Sequence, residues 1–155
     1  MKKLVLTAIV LALSFIFLSG STQAPRQLNE PLTFSLLLEL LGESSIAFYA
    51  REDNHPACNV TNSGIRILLT DYYSAFTVYE FENSEQALQF TSKIGTGGMS
   101  IHGAYSSIMF QPAAPVHWFI RDNIIVLYIG DEAEVVGFFQ SIFGRRFAGV
   151  DMVRW

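Results

Sequence analysis

Hydrophobic positions along the chain recur at two different intervals, and each interval predicts its own kind of element. Between residues 33 and 41, Phe34, Leu37, Leu38 and Leu41 repeat at helical spacing, with Thr33 placed to cap the first turn and Gly42 to stop the last. A brief strand over 45–50 follows. The stretch 51–64, REDNHPACNVTNSG, is dense in turn formers and reads as the one long loop. Loops of that length are functional or disordered. From Ile65 the pattern turns to strands, over 65–69 and, after a turn at 71–74, over 75–81. Asn83 with Gln86 three residues on predicts a capping box. It opens a helix whose apolar stripe is Ala87, Phe90, Thr91 and Ile94 and which Gly95 ends. Past a glycine-rich segment, 95–104, strands are predicted at 107–111, at 116–121 behind the Pro112–Pro115 break, and at 124–129 behind a tight turn at Asp122 and Asn123. A last helix spans 131–143, with Asp131 and Glu134 as a second capping box and Gly144 at its end.

Two of these stretches match without a gap. VYEFENSEQALQFTSKIG (78–95) lies over LYIGDEAEVVGFFQSIFG (127–144), pairing Tyr79 with Tyr128, Glu85 with Glu134, Phe90 with Phe139, Ser92 with Ser141 and Gly95 with Gly144. Each copy follows another strand, so the unit is strand, strand, helix, used twice. Hairpin connections cannot build a parallel sheet. The predicted fold class is therefore α+β: an antiparallel sheet from two strand-strand-helix units, helices mainly on one face, plus an N-terminal helix. The helices after Asn83 and Asp131 are expected to share a face.

Residues 124–129 include no polar residue on either side of the pleat, which calls for cover on both faces. Alternation sends Val116, Trp118 and Ile120 to one side and His117, Phe119 and Arg121 to the other. The first helix, with its own leucine stripe, is the simplest cover for the His117 side.

The amino terminus follows neither pattern. Lys2 and Lys3 precede an uncharged run over 4–18 and then Ser19, Gly20, Ser21, Thr22, Gln23 and Ala24, the three parts of a secretory signal peptide. Its core falls short of the roughly 20 apolar residues of a spanning helix. Cleavage is expected after Ala24 or after Ser21. The string Leu18-Ser19-Gly20-Ser21 has serine where a lipobox needs cysteine, so no lipid anchor is expected. The organisation is 1–24 signal peptide, 25–32 lead-in, 33–150 a single α+β domain, and 151–155 a tail.

Charge narrows the partners. After Ala24, eight Lys and Arg stand against fourteen Asp and Glu, a balance of −6 that gives no attraction for phosphate backbones or anionic lipid. Arg145 and Arg146 sit just past a predicted helix, where they complement its carboxyl end. Cys58 is the only cysteine, so stability rests on a core rather than on internal disulfides. It is read as an incidental thiol, with intermolecular pairing as the alternative.

Catalytic spacing is sparse. Gly95, Gly97, Gly98 and Gly103 lack the lysine and the strand-to-helix context of a phosphate loop. His55, His102 and His117 have no second ligand at zinc spacing, and no G-x-S-x-G elbow exists. No metal and no cofactor is expected. The most unusual run is PVHWF at 115–119. Together with the tyrosines of the matched segments it supplies the candidate binding residues His117, Trp118, Phe119, Tyr79 and Tyr128. The plainer reading makes Trp118 core and His117 a hydrogen-bonded, half-buried residue.

Tyr79-Glu80-Phe81, Pro115 to Phe119, Leu127 to Asp131 with its Tyr-x-Gly-Asp close, and Phe147-Ala148-Gly149 together resemble a widespread family of small exported bacterial proteins, many of them lipoproteins, without an assigned function. The resemblance spans 33–150 and is strongest after residue 65. It departs at Val116, inserted between proline and histidine, at the serine of the lipobox, and at the polar loop around Cys58. It implies an exported α+β domain with no catalytic motif. The expectation is a non-enzymatic module of the bacterial envelope, periplasmic or extracellular, that binds an envelope protein, a second copy or a small apolar molecule. A hydrolase or redox accessory using His117, His102 or Cys58 is the alternative.

Overall fold

The computed structural model describes residues 30–52, 65–69, 74–103, 107–109 and 111–149. Among them the elements are, in order, α1 (Phe34–Gly42), β1 (Phe48–Glu52), β2 (Ile65–Leu69), β3 (Ser74–Glu80), α2 (Ser84–Thr91), β4 (Ser100–His102), β5 (Ser107–Met109), β6 (Val116–Arg121), β7 (Ile124–Ile129) and α3 (Ala133–Phe143). The fold is α+β. Five strands form one antiparallel sheet in the order β1-β2-β3-β7-β6, and β4 pairs with β5 in a small hairpin of its own. No helix of the described residues is long and apolar enough to cross a membrane. The signal-peptide segment, the tail and most of the 51–64 loop with Cys58 lie outside the described residues.

Local chemistry accounts for most boundaries. The Thr33 side chain accepts from the Leu36 amide and Asn83 from the Gln86 amide, so both N-caps form, while the Gln86 side chain donates to Glu82 and does not close the expected box on Asn83. At α3 the cap differs. The N-cap is Glu132, which makes no side-chain cap bond, and the Glu134 carboxylate accepts from the Ser45 hydroxyl. The turn between β6 and β7 uses Asp122 at φ 52°, a conformation that Asp tolerates better than most side chains. The Asp122 carboxylate also accepts the Leu32 amide at 2.7 Å. Leu32, the last residue of the lead-in, is thereby fixed in the core.

The sheet is covered on both sides. Phe76, Val78, Phe119, Ile124, Val126 and Tyr128 meet Leu37, Leu40 and Leu41 of α1 and Val135, Phe139 and Ile142 of α3. On the opposite face, Tyr79, Val116, Trp118, Ile125 and Leu127 meet Ala87 and Phe90 of α2, together with Ile94, Ile101 and Ala148. Two of the three helices thus share a face, and α1 covers the His117 side as expected. The pair is α1 with α3, which corrects the expectation that the helices after Asn83 and Asp131 lie together. The reason is register. Each helix packs on the side to which its own unit's tyrosine points, Phe90 near Tyr79 at 6.1 Å and Phe139 near Tyr128 at 6.0 Å. In the β3–β7 ladder Phe76 stands opposite Tyr128, three residues from Tyr79. An odd step puts the two tyrosines on opposite faces.

The edge formed by β6 is partly closed by the residues after α3. The Trp118 amide donates to the Ala148 carbonyl at 3.0 Å, and the Phe147 amide to the Trp118 carbonyl at 2.9 Å. This close approach requires glycine at 149. Its φ is 121°, and a Cβ there would strike the Val116 carbonyl.

Candidate functional site

Among the described residues, buried polar chemistry concentrates where β6, β7, the start of α3 and the C-terminal segment meet. Alternation aims His117 inward beside Phe119, and pairing sets it directly opposite Tyr128. The imidazole stacks on the Tyr128 ring at 5.8 Å and on Phe119 at 6.3 Å. Only 4% of His117 is exposed, and both ring nitrogens are engaged. Nε2 is 3.0 Å from the Gly130 carbonyl, and Arg146 Nη1 is 2.9 Å from Nδ1. A carbonyl cannot donate and a guanidinium cannot accept, so the ring is neutral with its hydrogen on Nε2.

Gly130 explains the Tyr-x-Gly sequence. Its amide returns to the Pro115 carbonyl at 3.0 Å, while the Tyr128 ring folds along the strand so that its hydroxyl lies over the Gly130 Cα. The Glu132 carboxylate reaches the same point, and a Cβ at residue 130 would strike both groups. The Tyr128 hydroxyl and Glu132 Oε2 are buried and have no hydrogen-bond partner among the described residues. Gly130→Ala is therefore expected to destabilise the protein by about 1–3 kcal/mol through overpacking. Urea denaturation reads this directly, and an unchanged midpoint would show that the tyrosine does not need the space.

The five sequence-predicted binding residues fall into two groups. His117, Phe119 and Tyr128 belong to this face of the sheet. Trp118 and Tyr79 stack on the other, with ring centroids 6.2 Å apart, and the Trp118 indole donates to the Gly98 carbonyl at 2.8 Å. All five are buried. His102 lies elsewhere, exposed on β4. Its Nε2 is 3.1 Å from Ser100 Oγ and its Nδ1 3.0 Å from Ser107 Oγ. The fold does not bring His102 and His117 together, since the hairpin that carries His102 packs over the Trp118 face. His55 and Cys58 lie outside the described residues. Among the described residues no group of three or more His, Cys, Asp or Glu is arranged to hold a metal.

Two members of the cluster, Glu132 and Arg146, are not read as site residues from the sequence, and Gly130 enters there only as part of the Tyr-x-Gly-Asp run. Arg146 places Nη1 on His117 Nδ1, and Arg121 donates to the Ile142 carbonyl in the last turn of α3. Nothing local marks a partnership between residues 29 apart. Fold and site together define a small α+β domain whose histidine lies in a buried hydrogen-bonded cluster. Compared with protein-family models, curated proteins and solved structures, the chain matches none.

Proposed function

We propose that this chain is an exported binding module of the bacterial envelope that engages a protein partner without catalysis of its own. The observation that carries the reading is where its exposed large apolar side chains lie. Leu88 at 65%, Met109 at 80%, Met99 and Phe147 all sit on α2, on or beside the β4–β5 hairpin, or on the C-terminal segment, the elements that cover the Trp118 face. Tyr49 on β1 is apart from them. Single exposed apolar groups are ordinary, but several gathered on one side favour a contact surface. Tyr79 and Trp118 then serve binding from beneath, by holding the hairpin and the C-terminal segment in place. Export rests on the leader-like pattern of residues 1–24 and on the resemblance to small exported proteins. The balance of −6 disfavours nucleic acid and anionic lipid, which leaves an envelope protein or a second copy as partner.

Capture from the native envelope by the mature domain tests this, with Met109→Glu and Leu88→Glu as controls. The double variant is expected to lose at least about tenfold in partner yield, the effect of roughly 1.4 kcal/mol at an interface, while its melting temperature is unchanged. Equal capture by both proteins would defeat the proposal. One observation favours the hydrolase alternative: Ser100, His102 and Ser107 form a nucleophile, base and orienter in hydrogen-bond contact. Covalent labelling of Ser100 by a fluorophosphonate would establish that reading over the first.

A further inference from the structure

Three buried oxygen atoms near the end of β7 have no hydrogen-bond partner among the described residues: Ser74 Oγ, the Tyr128 hydroxyl and Glu132 Oε2. Native proteins leave few such atoms, because each forfeits the hydrogen bonds that it would make to solvent. The ladder brings these three together. Ala75 pairs with Ile129 and Phe76 with Tyr128, so one further step of the register sets Ser74 opposite Gly130. Alternation turns Ser74 to the face of Phe76 and Tyr128, which α1 and α3 cover. Residues directly opposite one another hold their Cβ positions about 4.5–5.5 Å apart. The Cβ position of Gly130 is where the Tyr128 hydroxyl and Glu132 Oε2 close on each other. Ser74 thus stands one small molecule's width from the other two. The phenol is aimed there, since its ring is stacked on His117 at 5.8 Å and packed on Phe139 at 6.0 Å.

We propose that Ser74, Tyr128 and Glu132 form a binding site for one internal water molecule. Their bonding capacities select it. A carboxylate oxygen accepts, and each hydroxyl has one hydrogen to donate. Water takes both hydroxyl hydrogens on its oxygen and gives one of its own to Glu132 Oε2, which makes three bonds, the usual number for a buried water. A metal ion or an ammonium ion draws on lone pairs alone and would leave both hydroxyl hydrogens without an acceptor. The bridge joins the first residue of β3 to β7 and to the N-cap of α3. Glu132 makes no side-chain cap bond, so through the water its carboxylate holds the start of the helix to the sheet. The site lies on the opposite face of the sheet from the elements that carry Leu88 and Met109, and the inference does not rest on that contact surface.

Crystals of the full chain test this directly. A solvent oxygen within about 3.2 Å of all three atoms is expected. A direct hydrogen bond from Tyr128 to Glu132, or a protein group bonded at that point, would overturn the site. So would an anomalous peak there in crystals grown with rubidium chloride, which would mark a cation. A solution measurement addresses the same claim. Oxygen-17 relaxation dispersion counts long-lived waters, and Ser74→Ala combined with Tyr128→Phe leaves such a water only its bond to Glu132. The double variant is expected to hold one long-lived water fewer than the wild type, and an equal count would refute the proposal.

Discussion

Truncating Trp118 to alanine should cost about 3–5 kcal/mol, the range measured for large aromatic residues in packed cores. The indole is fully buried, stacked on Tyr79, in contact with Phe147 at 6.5 Å between centroids, and donates to the Gly98 carbonyl. Its removal opens a void between the sheet and the hairpin and leaves the Gly98 carbonyl without its donor. A further effect is structural. A Cβ on Gly98 would lie 2.8 Å from Trp118 Cδ1, so the glycine turn is moulded directly on the indole and would lose its support. Denaturant unfolding followed by circular dichroism would measure the loss. A change below about 1 kcal/mol would mean that the hairpin repacks over the gap.

Phe139→Ala should be as damaging on the other side of the sheet, again about 3–5 kcal/mol. The ring stands at the centre of an aromatic group: Phe76 edge-on at 4.8 Å, Phe119 and Phe138 at 5.5 Å, Tyr128 at 6.0 Å and Phe143 at 6.1 Å. Such pairs add geometric preference to the apolar area that they bury. The loss should exceed that of Phe138→Ala, whose ring is only partly buried against this core. Thermal melts of the two variants give the comparison, and equal melting temperatures would contradict the central placement of Phe139.

These two residues also mark how far the sequence could be read. Strands β2, β6 and β7 coincide with their predicted spans because turn formers bound each and alternation or continuous apolarity fills it. Trp118 and His117 fall on the faces that alternation assigns. Three things were not legible. Strand β4 hides in a glycine-rich stretch and is only three residues long, too short for a period to emerge. The relative register of β3 and β7 is a property of the assembled ladder, so identical local patterns at Tyr79 and Tyr128 carried no information about whether they share a face. The bond between Arg146 and His117 belongs to the same class, since it depends on where a segment comes to rest after the sheet has formed. The candidate site was thus half visible: its aromatic rings stand out as a run of unusual residues, while the glycine, the carboxylate and the arginine around them look ordinary one by one.

The same register removes two-fold symmetry from the matched segments. A rotation that carries one strand of an antiparallel sheet onto its neighbour returns each side chain to the face from which it started. Here residues 79 and 128 occupy opposite faces, and so do the helices that follow. Their two units are therefore related as a hand is to its mirror image, although both are built from L-residues, and no two-fold axis through the sheet superposes them. For this fold, engineering by symmetrisation has no starting point: copying the sequence of α2 onto α3 would send an apolar stripe designed for one layer into the other.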